Sequence, residues 1–162
     1  MAIVLAAGFS RRLGRPKQDV VFEGETLLAR ATRIAREVAD DVVVVTRENN
    51  PHAEEGMASS IRTGVALAGP DARLLITLCD QPLVTAAHLR ALLAIDAPVV
   101  ATGYAGIAGV PAVFAPELVP ELLALRGDRG ARSIIEQHGA RVVFFEDAAM
   151  DVDTRSDIAL RE

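Results

Sequence analysis

Tryptophan is absent from this 162-residue chain, aromatic residues reach only 4 %, and there is a single cysteine. Each shortage excludes something. One thiol, Cys79, cannot form an intrachain disulfide, which fits a reducing compartment. It ends the apolar run of residues 74–78 and reads as a small core hydrophobe rather than a nucleophile. Few aromatics and a net charge of −5 argue against a nucleic-acid groove, which relies on broad positive surface and stacking rings. The three histidines are scattered with no Cys or His partner at ligand spacing, so zinc is not expected. No apolar run approaches the ~20 residues of a membrane span, and residues 1–7 lack the basic start and long apolar region of a signal peptide. A cytoplasmic protein without membrane association is the expectation. There is no Gly-x-Ser-x-Gly elbow to suggest a covalent hydrolase, and no repeat, heptad or low-complexity tract.

What the chain does have is aliphatic residues. Hydrophobic residues make up 51 %, so the core must be Ala, Val, Leu and Ile, as in sheets covered by helices on both faces. The length fits one domain over residues 1–162, burying about two thirds of its unfolded surface. Residues 2–6 read as a buried strand emptying at Gly8 into a loop with four positive charges between Arg11 and Lys17. In this basic island of an acidic protein, Gly8 and Gly14 allow close backbone approach, Ser10 adds a hydroxyl, and Arg12 and Lys17 can reach phosphate oxygens. Spacing excludes two common phosphate loops. The dinucleotide fingerprint needs glycine where Ser10 stands, and the Walker loop needs Gly-Lys where Leu13-Gly14 stands.

Further along, residues 19–22 read as a short extended segment and 26–38 as an amphipathic helix capped by Thr26. Residues 42–45 form a β-branched strand and 61–68 a helix. A strand over 73–78 and a helix over 85–93 follow. This alternation predicts a mostly parallel sheet with right-handed crossovers. Later come a strand at 99–101, a flexible Gly/Ala loop over 104–109, and a strand at 113–114 turned back beside the first. Helices at 117–125 and 131–138, a strand over 141–145 and a closing helix near Thr154 complete the reading.

Asp80 follows the third strong strand, where open parallel sheets place their ligand sites; it suits either a Mg²⁺ ligand or the cap of the helix after Pro82. Asp153 offers a second carboxylate, although Thr154-Arg155-Ser156-Asp157 also matches a helix start. In Gly56-Met57-Ala58-Ser59-Ser60, two hydroxyls at a helix N-terminus can cap it or face a ligand.

Taken in order, residues 5–17, Gly56-Met57-Ala58-Ser59-Ser60-Ile61-Arg62-Thr63-Gly64, Cys79-Asp80-Gln81-Pro82, Gly109-Val110-Pro111, Gly127-Asp128-Arg129-Gly130-Ala131-Arg132 and Asp151-Val152-Asp153-Thr154 resemble the motifs of the MobA-like NTP transferase family, in particular its molybdenum cofactor cytidylyltransferase group. The resemblance implies a three-layer Rossmann-like nucleotidyltransferase fold and an NTP substrate. It also implies a phosphorylated acceptor of molybdopterin type, Mg²⁺ as cofactor and a molybdenum oxidoreductase as partner. By the same resemblance Leu5, Ala6, Ala7, Gly8, Ser10, Arg12, Gly14, Lys17, Ser59 and Ser60 bind the nucleotide, and Arg12, Lys17 and Asp80 act in catalysis. Asp80 holds metal, with Asp153 the candidate second carboxylate named above, and Gly109, Pro111, Asp128 and Arg132 line the acceptor side. Leu5-Ala6-Ala7-Gly8, rather than Leu-Ala-Gly-Gly, looks like the CTP-using branch. In one place the chain departs from the family pattern: residues 46–55 have loop composition where relatives carry a further helix and strand. A sugar- or alcohol-phosphate nucleotidyltransferase, or a non-catalytic nucleotide- or cofactor-binding accessory protein, is the alternative.

Overall fold

The computed structural model describes residues 1–9, 14 and 16–152. Strand β1 (Ala2–Leu5) leads into the basic loop and a short 3₁₀ turn, Lys17–Asp19. A small hairpin follows, β2 (Val21–Phe22) against β3 (Glu25–Thr26), and then α1 (Leu27–Arg36). The Thr26 hydroxyl accepts from the Ala29 N–H at 3.2 Å, capping α1 where the sequence placed the cap. Next come β4 (Val42–Val45), α2 (Met57–Ala68), β5 (Leu74–Leu78) and α3 (Ala86–Leu93). The chain continues through β6 (Val99–Tyr104), β7 (Ile107–Phe114), α4 (Val119–Ala124), α5 (Arg132–Gln137) and β8 (Arg141–Phe144).

Six strands form one sheet in the order β4-β1-β5-β7-β6-β8. The β1–β4, β1–β5 and β6–β8 pairs are parallel, and β7 alone in this sheet runs antiparallel to its neighbours. The mostly parallel α/β reading holds. Side chains alternate across each strand: Ile3, Leu5, Leu74 and Ile76 enter the core beneath α2, α4 and α5. Ala2, Val4, Ala6 and Leu75 enter the core beneath α1 and α3. Burying each large aliphatic side chain contributes roughly 1.5–3 kcal/mol, and the two layers explain why β1 is apolar throughout and β5 nearly so.

Three sequence expectations need correction. Residues 104–109 are not a flexible loop, because β6 and β7 form a hairpin joined by two residues only. Ala105 and Gly106 both take positive φ, 47° and 73°, as a tight hairpin turn requires; the Gly/Ala-rich composition concealed continuous strands. Helix α2 begins four residues earlier than its periodicity suggests, because Gly56 at φ 105° starts it. Asp80 is not a helix cap, since the hydroxyl of Thr85 caps α3, accepting from the His88 N–H at 3.2 Å. The helix placed near Thr154 lies outside the described residues.

Candidate active site at the carboxyl ends of β1 and β5

Because β1 and β5 are parallel neighbours, their carboxyl ends open together. The ladder runs past both: the Ala6 N–H donates to the Val45 carbonyl at 2.8 Å, and the Cys79 N–H to the Leu5 carbonyl at 3.1 Å. Residues Ala6, Ala7 and Gly8 therefore leave the sheet beside Cys79 and Asp80. Together they wall a cavity of about 470 Å³, within the range of small-molecule sites.

Lys17 enters from the 3₁₀ turn. That turn is held by a small core of Val20, Phe22, Leu27 and Val152, and its Lys17 carbonyl accepts from the Val20 N–H at 3.0 Å. The Lys17 ammonium donates to Asp80 Oδ2 at 2.8 Å, 63 residues away in the chain, with both side chains about one-fifth exposed. Asp80 is itself fixed from behind. Its carbonyl accepts from the Val152 N–H at 3.0 Å. The next residue, Gln81, is buried and donates through Nε2 to the carbonyls of Val110 (3.3 Å) and Ala148 (2.9 Å). Arg30 on α1 donates to the Pro82 carbonyl at 2.7 Å. A strand end, a turn and a helix thus converge on one lysine–carboxylate pair.

The opposite wall comes from the start of α2 and from the turn at Ala53–Glu55, the one helical turn in the short span that follows β4. Gly56 turns the chain into α2, and the loop carrying Asp128 docks on it: the Ala58 N–H donates to the Gly127 carbonyl at 3.0 Å. Asp128 lines the cavity, as does Ser60.

The site residues expected from sequence therefore divide. Leu5, Ala6, Ala7, Gly8, Lys17, Ser60, Asp80 and Asp128 meet around one cavity. Ser59 is buried behind it, with its hydroxyl donating to the Gly56 carbonyl at 3.0 Å. Gly14 is exposed at φ 73° and does not line the cavity. Gly109 and Pro111 lie within β7, where the Pro111 carbonyl accepts from Thr102 Oγ1 at 2.6 Å. Arg132 pairs with Glu136 along α5 at 2.7 Å. Ser10, Arg12 and Asp153 fall outside the described residues. Sequence reasoning missed Phe9, Gln18, Glu54 and Met57 on the cavity wall. Only adjacency to the glycine motifs would have flagged Phe9 and Met57.

Among the described residues there is no group of three or more His, Cys, Asp or Glu able to cage a metal. The oxygen donor on the cavity wall beside the glycine loop is the Asp80 carboxylate, and a hard divalent ion on a polyphosphate takes one or two such carboxylates together with substrate oxygens and water. Cys79 also touches the cavity, but burial pushes its thiol up to about 12, with the nearby Asp80 charge acting in the same direction. It is no nucleophile at neutral pH.

Residues 2–142 match the family model of the MobA-like NTP transferase domain. The chain belongs to that family. It is 30 % identical over 175 aligned positions to the purine catabolism protein PucB of Bacillus subtilis, covering 88 % of this chain and 84 % of PucB. That alignment is longer than the 162-residue chain. A probable molybdenum cofactor guanylyltransferase of Opitutus terrae is 32 % identical over 103 residues, 64 % of this chain and 50 % of that protein. Among solved structures, Rv0371c of Mycobacterium tuberculosis superposes with a TM-score of 0.84 at 28 % identity, covering 98 % of this chain and 95 % of that one. The same mycobacterial protein has been solved as a manganese complex, at a TM-score of 0.77 and 25 % identity with the same coverage. A MobA-like nucleotidyltransferase family and a Rossmann-like nucleotidyltransferase fold are thereby established for this chain. Among the described residues no helix is long and apolar enough to cross a membrane.

Proposed function

We propose that this protein is a cytoplasmic, Mg²⁺-dependent nucleotidyltransferase that moves CMP from CTP onto the phosphate of a molybdopterin-type molybdenum cofactor, releasing pyrophosphate. The observation that carries the reading is the Lys17–Asp80 pair, 2.8 Å apart, in the wall of a cavity that the glycine loop after β1 also lines. A cation and a carboxylate side by side suit a metal-bound polyphosphate. Lys17 would turn from Asp80 to the phosphate oxygens, joined by Arg12, and backbone N–H groups of the loop at Gly8 would approach the chain of phosphates. Asp80 would hold Mg²⁺ with Asp153, and there the ion would neutralise charge on the polyphosphate oxygens. Manganese in the related mycobacterial structure supports a divalent ion.

The acceptor phosphate, with a second pKa near ~6, is already largely ionised at neutral pH. It attacks the α-phosphorus and the bond to the β-phosphate oxygen breaks, so no general base is required. What remains for the protein is alignment and electrostatic stabilisation, as in phosphoryl transfer generally. Asp128, across the cavity, stands on the acceptor side in this reading, and a molybdenum oxidoreductase would receive the product. The choice of CTP rests on Leu5-Ala6-Ala7-Gly8; relatives named as guanylyltransferases make GTP the necessary control.

Two variants test the assignment. Lys17→Ala should weaken nucleotide binding by about 10-fold or more, as loss of a charge-assisted hydrogen bond does, and unchanged affinity would remove Lys17 from the site. Asp80→Ala should abolish Mg²⁺-dependent turnover with the fold intact, and full activity would sink the metal assignment. The short span between Val45 and Gly56 favours one second reading, a nucleotide-binding accessory protein. Such a protein would bind nucleotide and release no pyrophosphate. A sugar- or alcohol-phosphate acceptor would instead show itself in acceptor competition.

A further inference from the structure

A buried amide stands beside the cavity, and nucleotidyl transfer as set out above leaves it without a role. Asn50 is 1 % exposed and lies in the short span that connects β4 to α2. Its backbone N–H donates to the Thr46 carbonyl at 3.0 Å. Three bonds fix its side chain. Oδ1 accepts from the His52 backbone N–H at 3.1 Å, and Nδ2 donates to Ser59 Oγ at 3.1 Å and to Ser60 Oγ at 3.0 Å.

The direction of these bonds follows from His52, because a backbone N–H can only donate. The amide oxygen must therefore face His52 and the NH₂ group must face the serines. Each serine then accepts from Asn50 and has its single hydrogen left to give. Ser59 gives that hydrogen to the Gly56 carbonyl. Ser60 lines the cavity, and among the described residues no acceptor takes its hydrogen.

We infer that Asn50 is a positioning residue for the nucleotide. By donating to Ser60 Oγ it commits that hydroxyl to act as a hydrogen-bond donor toward the cavity, selecting an acceptor atom of the bound base, a ring carbonyl or ring nitrogen. Ser60 touches the ligand and Asn50 acts through it. The inference rests on the reading of the cavity as a nucleotide site.

The test is equilibrium titration of CTP and GTP, each with Mg²⁺, into the wild-type chain, Asn50→Asp, Ser60→Ala and the double variant. Ser60→Ala should weaken binding about fivefold to tenfold, the worth of one net hydrogen bond. Asn50→Asp keeps the shape and the bond from His52 but turns the donor into an acceptor. Both serines then point hydrogens at the new carboxylate, and Ser60 presents lone pairs to the base. Affinity should fall at least as far as in Ser60→Ala, and adding Ser60→Ala to Asn50→Asp should cost less than twofold more. Multiplicative losses in the double variant would overturn the inference, because a residue that merely holds the loop would not couple to the hydroxyl. Asn50→Ala, which removes the donor without burying a charge, should show coupling of the same sign, and it supplies the cycle if Asn50→Asp does not fold. Failure of the wild-type chain to bind either nucleotide would overturn the nucleotide reading and this inference together. Binding by wild type with independent losses would overturn only the inference.

Discussion

Replacing Gly56 by alanine tests how the cavity wall is assembled. Gly56 stands at φ 105° and ψ −170°, a region essentially closed to residues with a side chain and costing about 1–3 kcal/mol to occupy. An added Cβ would lie 1.8 Å from Asp128 Oδ1 and 2.9 Å from the Gly127 carbonyl oxygen. The Asp128 side chain can rotate away, but the Gly127 oxygen is backbone and already accepts from the Ala58 N–H at 3.0 Å. The loop must therefore lift off α2, giving up that bond, about 1 kcal/mol, and some of its packing, about 1–3 kcal/mol. The total is about 3–7 kcal/mol. Against a typical domain stability of about 5–15 kcal/mol, this should lower the melting temperature by about 6–28 °C. Urea denaturation followed by far-UV circular dichroism measures the change directly. Asp128→Gly combined with Gly56→Ala should recover only part of the loss, since it relieves the side-chain collision and leaves the backbone strain. Gly56→Ala within about 0.5 kcal/mol of wild type would refute the docking of this loop on the helix.

Two further predictions concern titrating groups. His88 is buried against Phe145, with ring centroids 4.5 Å apart, and its Nε2 lies 2.8 Å from Thr102 Oγ1; burial holds its pKa below the ordinary 6.5. As pH falls below about 6.5 the unfolded chain takes up a proton that the folded chain refuses, so stability should fall with acidification from there. His88→Gln should flatten that slope between pH 7 and 5, and an unchanged slope would refute the assignment. Glu25 and Glu55 do not interfere, because arginine partners hold both below 4.5 and their contribution is lost only at lower pH. Cys79, with its thiol near 12, should be thiolate in only about one molecule in 10⁴ at pH 8. Alkylation in the native state should be more than 100-fold slower than in urea, and equal rates would contradict its burial.

Much of the architecture was readable locally. The apolar runs of β1 and β5 are buried on both faces of a mostly parallel sheet, and Thr26 announces the start of α1 by its own chemistry. The glycine loop after β1 and the aspartate after β5 were recognisable as parts of a site because each follows an apolar run. Their meeting was not readable, since Lys17 and Asp80 are 63 residues apart and only the adjacency of β1 and β5 brings them within 2.8 Å. The β6–β7 hairpin was hidden because Gly103, Gly106 and Gly109 resemble loop composition, whereas tertiary packing keeps the flanking residues extended. Asn50 followed by Pro51 reads as turn chemistry, and nothing local says that its amide points inward at two serines on the next helix. Arg132 and Gly109 show the converse: a motif in sequence places a residue in the region, while the direction of its side chain or strand decides what it faces.

The most direct test of the account is pyrophosphate release from the purified protein with Mg²⁺ and molybdopterin-type cofactor, offered CTP, GTP, ATP and UTP in turn. Release is expected with CTP, dependent on Mg²⁺ and on the acceptor. Nucleotide binding without pyrophosphate release from any of the four would contradict it.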